Sequence, residues 1–462
     1  MHAKDEIKFG TDGWRGIIAD NYTFKNLKIL SQAVADYLGS GKRVAIGYDT
    51  RFMSGIFAGI TAKVLNNNGI EVVLSDRPIP TPALSYAVKL RSLDLGIMIT
   101  ASHNPAEYNG FKIKMPSGGA AGPEVTKKVE EYLEQNPVKE DGGMPDKIKK
   151  EDLTLDYVSF IRSYIDFKKI KSKKFKVLVD AMYGSGDSFF ARILKGSNIR
   201  LEFMRNTINP SFDGKRPEPV EDNLQELKDR VKKEKFDLGI ALDGDADRIA
   251  AVAPGGEFIH PQKILGLLAL HLNQDRHWSG GIVKTICGTT MIDNIAEYLG
   301  VKLYETPVGF KYISNLMETE DVVAGGEEAG GMGVKKYIPE RDGTVAGLLL
   351  LEMMVYRNKN ILKILNETEK QFGKYYYVRK DLHLSRRIEP KKEDLPGELL
   401  GKKVVQVKDY DGVKLICEDQ SWLMFRGSGT EPIMRLYAEA KSLAQAKKLL
   451  ALGGSLISKD GV

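Results

Sequence analysis

Short apolar runs alternate with helical patterns along the first part of this chain. Runs of the kind that form buried strands occur at residues 44–49, 71–74 and 93–99, and the spacing of apolar residues over 56–67 is typical of a helix. Strands that alternate with helices favour βα units and a parallel sheet. The pattern therefore predicts an α/β domain.

The same alternation recurs twice further along the chain. Strand-like runs at residues 175–180 and 236–242 mark a second set, and runs at 281–285 and 321–325 mark a third. A long helical pattern over residues 343–357 completes the third set. We therefore expect three repeated α/β domains.

The regular alternation of strand-like and helical patterns ends after residue 372. Strand-like runs at 375–378 and 422–426 and a helical pattern at 443–452 predict a smaller α+β unit. A polar stretch at 136–152 and a hairpin-like turn at 254–256 indicate boundaries between domains. The predicted domains are residues 1–150, 151–253, 254–372 and 373–462.

Composition narrows the class of protein. The 462 residues are 42% hydrophobic and 28% charged, as in ordinary globular proteins with several cores. Lysine and arginine total 68 against 62 acidic residues, which gives a net charge of +6. This small surplus suits phosphorylated substrates, and the basic clusters lack the interleaved aromatic residues that bind bases. We expect no nucleic-acid partner.

Cysteine usage and the N-terminal residues bear on the compartment. Cys287 and Cys417 lie far apart and no CxxC spacing occurs, so neither a disulfide framework nor a zinc site is indicated. The first residues lack an apolar signal region, and no apolar stretch approaches ~18 residues. These features predict a cytoplasmic protein with no membrane partner.

The first candidate site is the run of residues 100–105, Thr-Ala-Ser-His-Asn-Pro, which ends a predicted strand. Ligands gather at the carboxyl ends of strands in open α/β sheets. Ser102 beside His103 and Asn104 is therefore a candidate nucleophile or phosphate carrier. The alternative is a polar loop that satisfies only its own backbone.

A second strand end carries three alternating carboxylates. Asp243, Asp245 and Asp247 can converge on one point, and such close like charges need a neutralising cation. Oxygen ligands suit magnesium or manganese. Arg248 and Pro254 stand where an EF-hand needs Gly and Glu, which excludes that motif. A phosphatase with an aspartyl nucleophile and a solvated acidic turn remain as alternatives.

Two glycine-rich loops suggest sugar and phosphate recognition. Glycines bracket Glu327 and Glu328, which suits hydrogen bonds from hydroxyl groups, although an exposed hairpin explains the pattern equally well. Residues 426–432 with Arg435 form a candidate phosphate cradle of small residues, hydroxyls and arginine. This cradle is not a P-loop, and a ligand-free tight turn is its alternative.

Together with glycine-punctuated loops at residues 10–16 and 306–312, these motifs resemble the α-D-phosphohexomutase superfamily, the phosphoglucomutase and phosphomannomutase enzymes. The resemblance spans Gly10 to Arg435, with the motifs in the expected order. It implies four domains around a central cleft: three repeated α/β/α mixed-sheet domains and a smaller C-terminal α+β domain.

The resemblance also implies roles for particular residues. Ser102 resembles the phosphoserine that donates its phosphoryl group, and the three aspartates resemble the ligands of one magnesium ion, which an oxygen of phosphoserine completes. Lys311 and Arg341 are further candidates for sugar or phosphate contacts. The other implied residues are Arg15, His103 and Lys112 in catalysis, Arg248, Glu327 and Glu328 in substrate binding, and Arg426, Ser428, Gly429, Thr430 and Arg435 in phosphate binding.

The implied reaction is a phosphoryl exchange through a bisphosphate. Phosphoserine gives its phosphoryl group to the free hydroxyl of a hexose phosphate, the bisphosphate reverses its orientation, and its other phosphate returns to Ser102. Phosphoserine carries a charge of about −1.5 to −2, which requires a cation beside three carboxylates. Glucose 1,6-bisphosphate, the intermediate of this exchange, is the expected activator of enzyme whose Ser102 is not phosphorylated.

Departures from the family pattern affect the choice of sugar. Ala329 replaces the usual serine, Gly331 stands where some mannose- and glucosamine-type members have histidine, and residues 306–312 look closer to glucose-type members. We expect glucose as the preferred sugar, with mannose as a further candidate. A phosphoglucosamine or phosphopentose mutase is the alternative within the family, and a sugar-phosphate phosphatase or non-catalytic sensor outside it. The chain is expected to be a monomer or homodimer.

Overall fold

The computed structural model describes residues 3–140, 148–186, 188–388, 390–427 and 432–461, except for the side chains of 458–461. These residues form four successive units, each built around one sheet. No helix within the described ranges is long and apolar enough to span a bilayer.

The first unit has a six-stranded sheet in the order β1-β5-β4-β2-β3-β6. Its strands β2, β3, β4 and β6 are parallel, whereas β5 runs antiparallel to β4 and β1. The elements are α1 Ala3–Glu6, β1 Trp14–Ile17, α2 Phe24–Leu38, β2 Arg43–Tyr48, α3 Ser54–Asn67, β3 Glu71–Ser75, α4 Thr81–Leu90, β4 Leu95–Ile99, β5 Tyr108–Lys114, α5 Pro123–Tyr132 and β6 Ile148–Glu151.

The second unit has a five-stranded sheet in the order β11-β10-β9-β7-β8. The turn at residues 254–256 joins β10 to β11 within this sheet. The elements are α6 Leu155–Tyr164, α7 Phe167–Lys171, β7 Lys176–Asp180, α8 Phe189–Ile193, β8 Arg200–Met204, α9 Gln225–Lys233, β9 Leu238–Leu242, β10 Ile249–Ala253 and β11 Glu257–Ile259, with 3-10 turns at Phe212–Gly214 and Glu221–Asn223.

The third unit has a four-stranded sheet in the order β13-β12-β14-β15. The elements are α10 Pro261–Leu270, which continues into a π-helical turn at His271–Asp275, β12 Gly281–Thr285, α11 Thr290–Leu299, β13 Leu303–Thr306, α12 Phe310–Thr319, β14 Val322–Gly326, β15 Met332–Val334, α13 Gly343–Arg357 and α14 Ile361–Phe372. Helix α13 is buried on all faces, because its apolar residues contribute to one hydrophobic core shared by the second and third units.

The fourth unit is an antiparallel sheet in the order β16-β21-β20-β19-β18-β17, covered by one long helix. The elements are β16 Tyr376–His383, a 3-10 turn at Lys392–Asp394, β17 Glu398–Leu399, β18 Lys402–Lys408, β19 Val413–Cys417, β20 Trp422–Gly427, β21 Ile433–Ala440 and α15 Leu443–Gly461. Helix α15 runs well beyond the predicted end at residue 452. The predicted fold class, three α/β/α mixed-sheet units and a smaller C-terminal unit, is confirmed.

Candidate active site

Three of the candidate loops connect antiparallel neighbours in their sheets. Residues 100–107 join β4 to β5, residues 243–248 join β9 to β10, and residues 327–331 join β14 to β15. Each loop follows a strand whose five residues are all buried. The polar residues therefore lie at the carboxyl ends of buried strands, as the sequence predicts.

Ser102 lies in direct contact with the acidic loop of the second unit. Its Oγ donates a hydrogen bond of 2.8 Å to Asp243 Oδ2, and the residue is 1% exposed with a φ of 53°. The backbone N–H donates to Thr100 Oγ1 at 2.9 Å. His103 Nδ1 lies 3.4 Å from the Ser102 Oγ. A hydroxyl, a carboxylate and an imidazole thus meet at one point.

The three aspartates form a fully buried cluster. One carboxylate oxygen from each of Asp243, Asp245 and Asp247 lies within 4.8 Å of the others. Burial, together with the two neighbouring carboxylates, raises the pKa of Asp243 well above its usual value. Among the described residues, the Oδ1 atoms of Asp245 and Asp247 are buried without a hydrogen-bond partner. A close cluster of buried carboxylates, with two such oxygens unpartnered among the described residues, fits a hard divalent cation.

Lys112 and Asp12 connect the first unit to this cluster. Lys112 Nζ lies 2.8 Å from Asp12 Oδ2, 2.8 Å from Asp245 Oδ2 and 3.0 Å from Asp247 Oδ2. Thr81 adds a hydrogen bond from its hydroxyl to Asp245 Oδ2 and another of 3.0 Å from its N–H to the Asp245 carbonyl. The acidic loop is therefore held from outside by groups of the first unit.

Arg341 links the third unit to the same charges. Its guanidinium group contacts Asp12, lies 2.7 Å from Asp247 Oδ2 and lies 3.3 Å from Glu327 Oε2. A Cβ atom at Gly331 would collide with Arg341 Cδ. The side chain of Arg341 thus occupies the space beside Gly331, so a larger residue at position 331 would require the arginine to move.

Arg15 and Arg248 place further positive charge around His103. Arg15 donates to Asn104 Oδ1 at 2.6 Å, and Arg248 donates its backbone N–H to Asp243 Oδ1 at 3.0 Å. Burial lowers the pKa of His103 well below its usual value, and the nearby cations Arg248 and Arg15 lower it further. His103 is therefore a neutral imidazole at neutral pH.

The sugar-loop candidates have different partners. Glu327 faces Arg341, and burial raises the pKa of its carboxyl. Glu328 Oε2 accepts a hydrogen bond of 3.1 Å from Thr285 Oγ1. Lys311 lines a separate groove of about 470 Å³ between residues 115–124 and α12. Of these candidates, Glu327 and Arg341 are joined to the acidic cluster by the contacts above.

The cradle candidates lie on the fourth unit. Arg426 and Arg435 face each other across β20 and β21, and Arg426 Nε donates to Asp411 Oδ1 at 2.9 Å. Arg426 lines a cavity of about 480 Å³, whereas Arg435 lies 3.8 Å from Asp381. The predicted phosphate ligands Ser428, Gly429 and Thr430 lie outside the described residues. The same cavity is lined by further basic residues that the sequence analysis missed: Arg387, Lys391 and Lys392.

Sequence reasoning also missed Asp12, Thr81 and Arg51. Asp12 belongs to the glycine-punctuated loop at residues 10–16, so the loop carried a signal although the residue itself was not singled out. Arg51 follows a predicted strand end, which is the same signal that identified Ser102. Thr81 carries no local signal, since its partner Asp245 is 164 positions away.

Comparison of the sequence with known proteins identifies a family. Family models for the phosphoglucomutase/phosphomannomutase α/β/α domains I, II and III match residues 6–139, 155–256 and 260–372. A protein of Sulfurisphaera tokodaii named phosphoglucosamine/phosphogalactosamine mutase is 31% identical over 461 residues, covering 96% of this chain and 97% of its own. A Thermococcus kodakarensis protein named phosphoglucomutase/phosphomannomutase is 30% identical over 460 residues, covering 98% of both.

A solved structure agrees with these relatives over the whole chain. The crystal structure of a Thermus thermophilus protein assigned as a phosphomannomutase is 34% identical and superposes with a TM-score of 0.89, covering 98% of this chain and 99% of its own. The order of the loops, the acidic cluster facing Ser102 and these matches lead to one assignment. This chain belongs to the phosphoglucomutase/phosphomannomutase family.

Proposed function

We propose that this family member is a magnesium-dependent mutase that interconverts the 1-phosphate and 6-phosphate of glucose, with mannose as a further candidate sugar. The observation that carries the proposal is the 2.8 Å contact between Ser102 Oγ and Asp243 beside two aspartates with unpartnered oxygens. A hydroxyl in that position suits a phosphoryl group that is given and taken back at one site.

Asp243, Asp245 and Asp247 are the residues that would hold the magnesium ion, with an oxygen of phosphorylated Ser102. When bound, the ion neutralises the charge of the phosphoserine and stabilises the charge that develops during transfer. The chain supports this arrangement by aiming Lys112 and Arg341 at the outer oxygens of Asp245 and Asp247.

Lys112 and His103 have different roles in this proposal. Burial opposes the charge of Lys112, but its three carboxylate neighbours outweigh burial and raise its pKa. Lys112 therefore stays charged and stabilises negative charge. His103 is neutral and lies 3.4 Å from Ser102 Oγ, so it is the better acceptor for the proton of the attacking sugar hydroxyl. Arg15 and Arg248 orient the reacting phosphate.

The non-reacting phosphate and the sugar hydroxyls of the substrate then need separate binding sites. We assign Arg426, Ser428, Gly429, Thr430 and Arg435 to the phosphate that does not react, and Glu327 and Glu328 to the sugar hydroxyls. One cradle and one transfer centre serve both half-reactions if the bisphosphate binds in two orientations. Trace glucose 1,6-bisphosphate should therefore stimulate enzyme purified without phosphate on Ser102, and indifference to it would contradict this cycle.

A phosphoglucosamine mutase is a second candidate, and it has about equal support. The Sulfurisphaera tokodaii relative carries that activity in its name, and the Thermococcus kodakarensis relative carries the other. Gly331 lacks the histidine that would separate the two classes by sequence. A phosphopentose mutase is a third candidate.

The deciding experiment compares kcat/KM for the 1-phosphates of glucose, mannose, glucosamine and ribose with magnesium and the matching bisphosphate. The proposal predicts the highest value for glucose. A higher value for glucosamine would replace it with the second candidate. Steady release of inorganic phosphate would indicate a phosphatase, and binding without turnover of any sugar would indicate a sensor.

A further inference from the structure

Arg51 is a buried arginine directly behind the loop that carries Ser102. The residue is 3% exposed and lies just after β2. Its guanidinium group donates to carbonyl oxygens of that loop: to Ser102 at 2.7 Å, Asn104 at 2.6 Å, Pro105 at 2.7 Å and Tyr108 at 3.1 Å.

These contacts occupy the terminal nitrogens of Arg51 with backbone oxygens. The loop turns so tightly that three of its carbonyls and that of Tyr108, at the start of β5, point inward to one place, where their partial charges repel each other. A planar guanidinium group has enough fixed donors to satisfy all four, whereas an ammonium group does not. Arg51 thus stabilises the shape of the loop and leaves the phosphate groups to other cations.

Asp49 closes a hydrogen-bonded circuit around Ser102. Its Oδ2 accepts from Thr100 Oγ1 at 2.6 Å, and its Oδ1 accepts from the backbone N–H of Arg51 at 3.0 Å. Thr100 Oγ1 in turn accepts the Ser102 N–H, and Arg51 binds the Ser102 carbonyl. Both polar backbone groups of Ser102 are therefore tied to the Asp49–Arg51 pair, which fixes its left-handed backbone conformation.

The segment around Arg51 also contacts the unit that carries the aspartates. The ring of Phe212 lies 4.9 Å from the guanidinium carbon, and Thr50 Oγ1 donates to the Tyr183 carbonyl at 2.8 Å. Phe212 and Tyr183 belong to the second unit, as Asp243 does. Residues 50–51, which shape the serine loop, thus also contact the unit whose Asp243 accepts the hydrogen bond from the Ser102 hydroxyl.

We propose that Arg51 is a positioning residue for phosphoryl transfer, a role that rests on the proposed mutase function. It holds the carbonyls of residues 102–108 so that the Ser102 Oγ meets the acidic cluster. Misplacement of a reacting group by ~1 Å costs about 10²-fold in rate. Arg51 acts on kcat through this alignment rather than by binding substrate.

The test is Arg51→Lys, which keeps the charge and loses the planar fork. We expect kcat to fall by about 10²-fold, with KM changed by less than about threefold. The matched control is Arg162→Lys. Arg162 also donates to two carbonyls, those of Ile193 at 2.6 Å and Lys195 at 2.8 Å, and stacks on Phe167, but far from the serine loop. We expect the control to keep wild-type kcat.

A rescue experiment separates alignment from general stability. Ethylguanidine should restore part of the kcat of Arg51→Ala without changing its KM, and should leave Arg162→Ala unaffected. A kcat within twofold of wild type in folded Arg51→Lys would overturn the role of Arg51, and so would losses in both lysine variants that follow their melting temperatures. Absence of wild-type turnover with all four sugars would instead overturn the proposed function, so the two failures are distinct.

Discussion

The proposed transfer centre around Ser102 and the proposed phosphate cradle around Arg426 are built in opposite ways. Ser102, Asp243 and Lys112 are at most 1% exposed, whereas the side chains of Arg426 and Arg435 are 16% and 31% exposed. The transfer centre is connected by short contacts across three units, whereas Arg426 of the cradle lines a cavity of about 480 Å³. A reacting group needs a fixed, dry site, whereas a binding group must admit and release its ligand.

The two regions also balance charge differently. At the transfer centre, Lys112 and Arg341 share carboxylates with each other, so removal of one group leaves another charge buried and unpaired. In the cradle, Arg426 pairs with Asp411 beside solvent. Substitutions should therefore abolish chemistry at the first region and weaken binding at the second.

The largest effect is expected from Ser102→Ala. Loss of the phosphoryl carrier should lower kcat by at least about 10⁴-fold and leave the fold intact. Steady-state assays and thermal melting check both parts. The control is Ser85→Ala, because the buried Ser85 hydroxyl has no hydrogen-bond partner among the described residues. Substantial activity in Ser102→Ala would remove this serine as the carrier.

Asp245→Asn should give the next largest effect. Loss of one anionic oxygen should lower magnesium-dependent activity by about 100-fold and raise the magnesium concentration needed for half-maximal rate. A chelator should abolish the activity of the wild-type enzyme, and added magnesium should restore that activity. Asp213→Asn, an exposed change in the same unit, is the control. An unchanged magnesium requirement would argue against the aspartate cluster as the metal site.

Arg426→Ala should affect binding instead of chemistry. Loss of a cradle cation should raise KM by about tenfold, with kcat within about threefold, because the contact is made equally in ground and transition states. Arg230→Ala removes a similar arginine–carboxylate pair, with Glu234 at 2.9 Å, from the second unit and outside the cavity, and should leave KM unchanged. A dominant loss of kcat in Arg426→Ala would erase the distinction between the two regions.

The smallest effect concerns pH. Because burial, Arg248 and Arg15 depress the pKa of His103, the acid limb of kcat should lie below pH 6.5. Arg248→Gln removes one positive charge, so the pKa of His103 should rise and the acid limb of kcat should move to higher pH. The ratio of variant to wild-type kcat, measured through the acid limbs of both enzymes, reports this shift, with exposed Arg200→Gln as control. A ratio that is independent of pH would exclude His103 as the proton acceptor.

Local patterns predicted which candidate residues lie at the end of a buried strand. Ser102 and Asp243 each follow five buried strand residues, and such runs are visible in the sequence. The same reasoning did not predict the surroundings of Lys311, which lines a separate groove between residues 115–124 and α12. Its loop begins a helix instead of connecting two antiparallel strands.

The sequence by itself determined the α/β units, the four loops and the chemical groups they carry, because strand burial and loop composition are local properties. Only the tertiary structure decided which groups meet. Thr81 reaches Asp245, Arg341 reaches Asp12, and Arg51 holds the loop of Ser102 through contacts between residues distant in the chain. Such contacts depend on the packing of whole units, and the buried charges they pair are stable only in that packing.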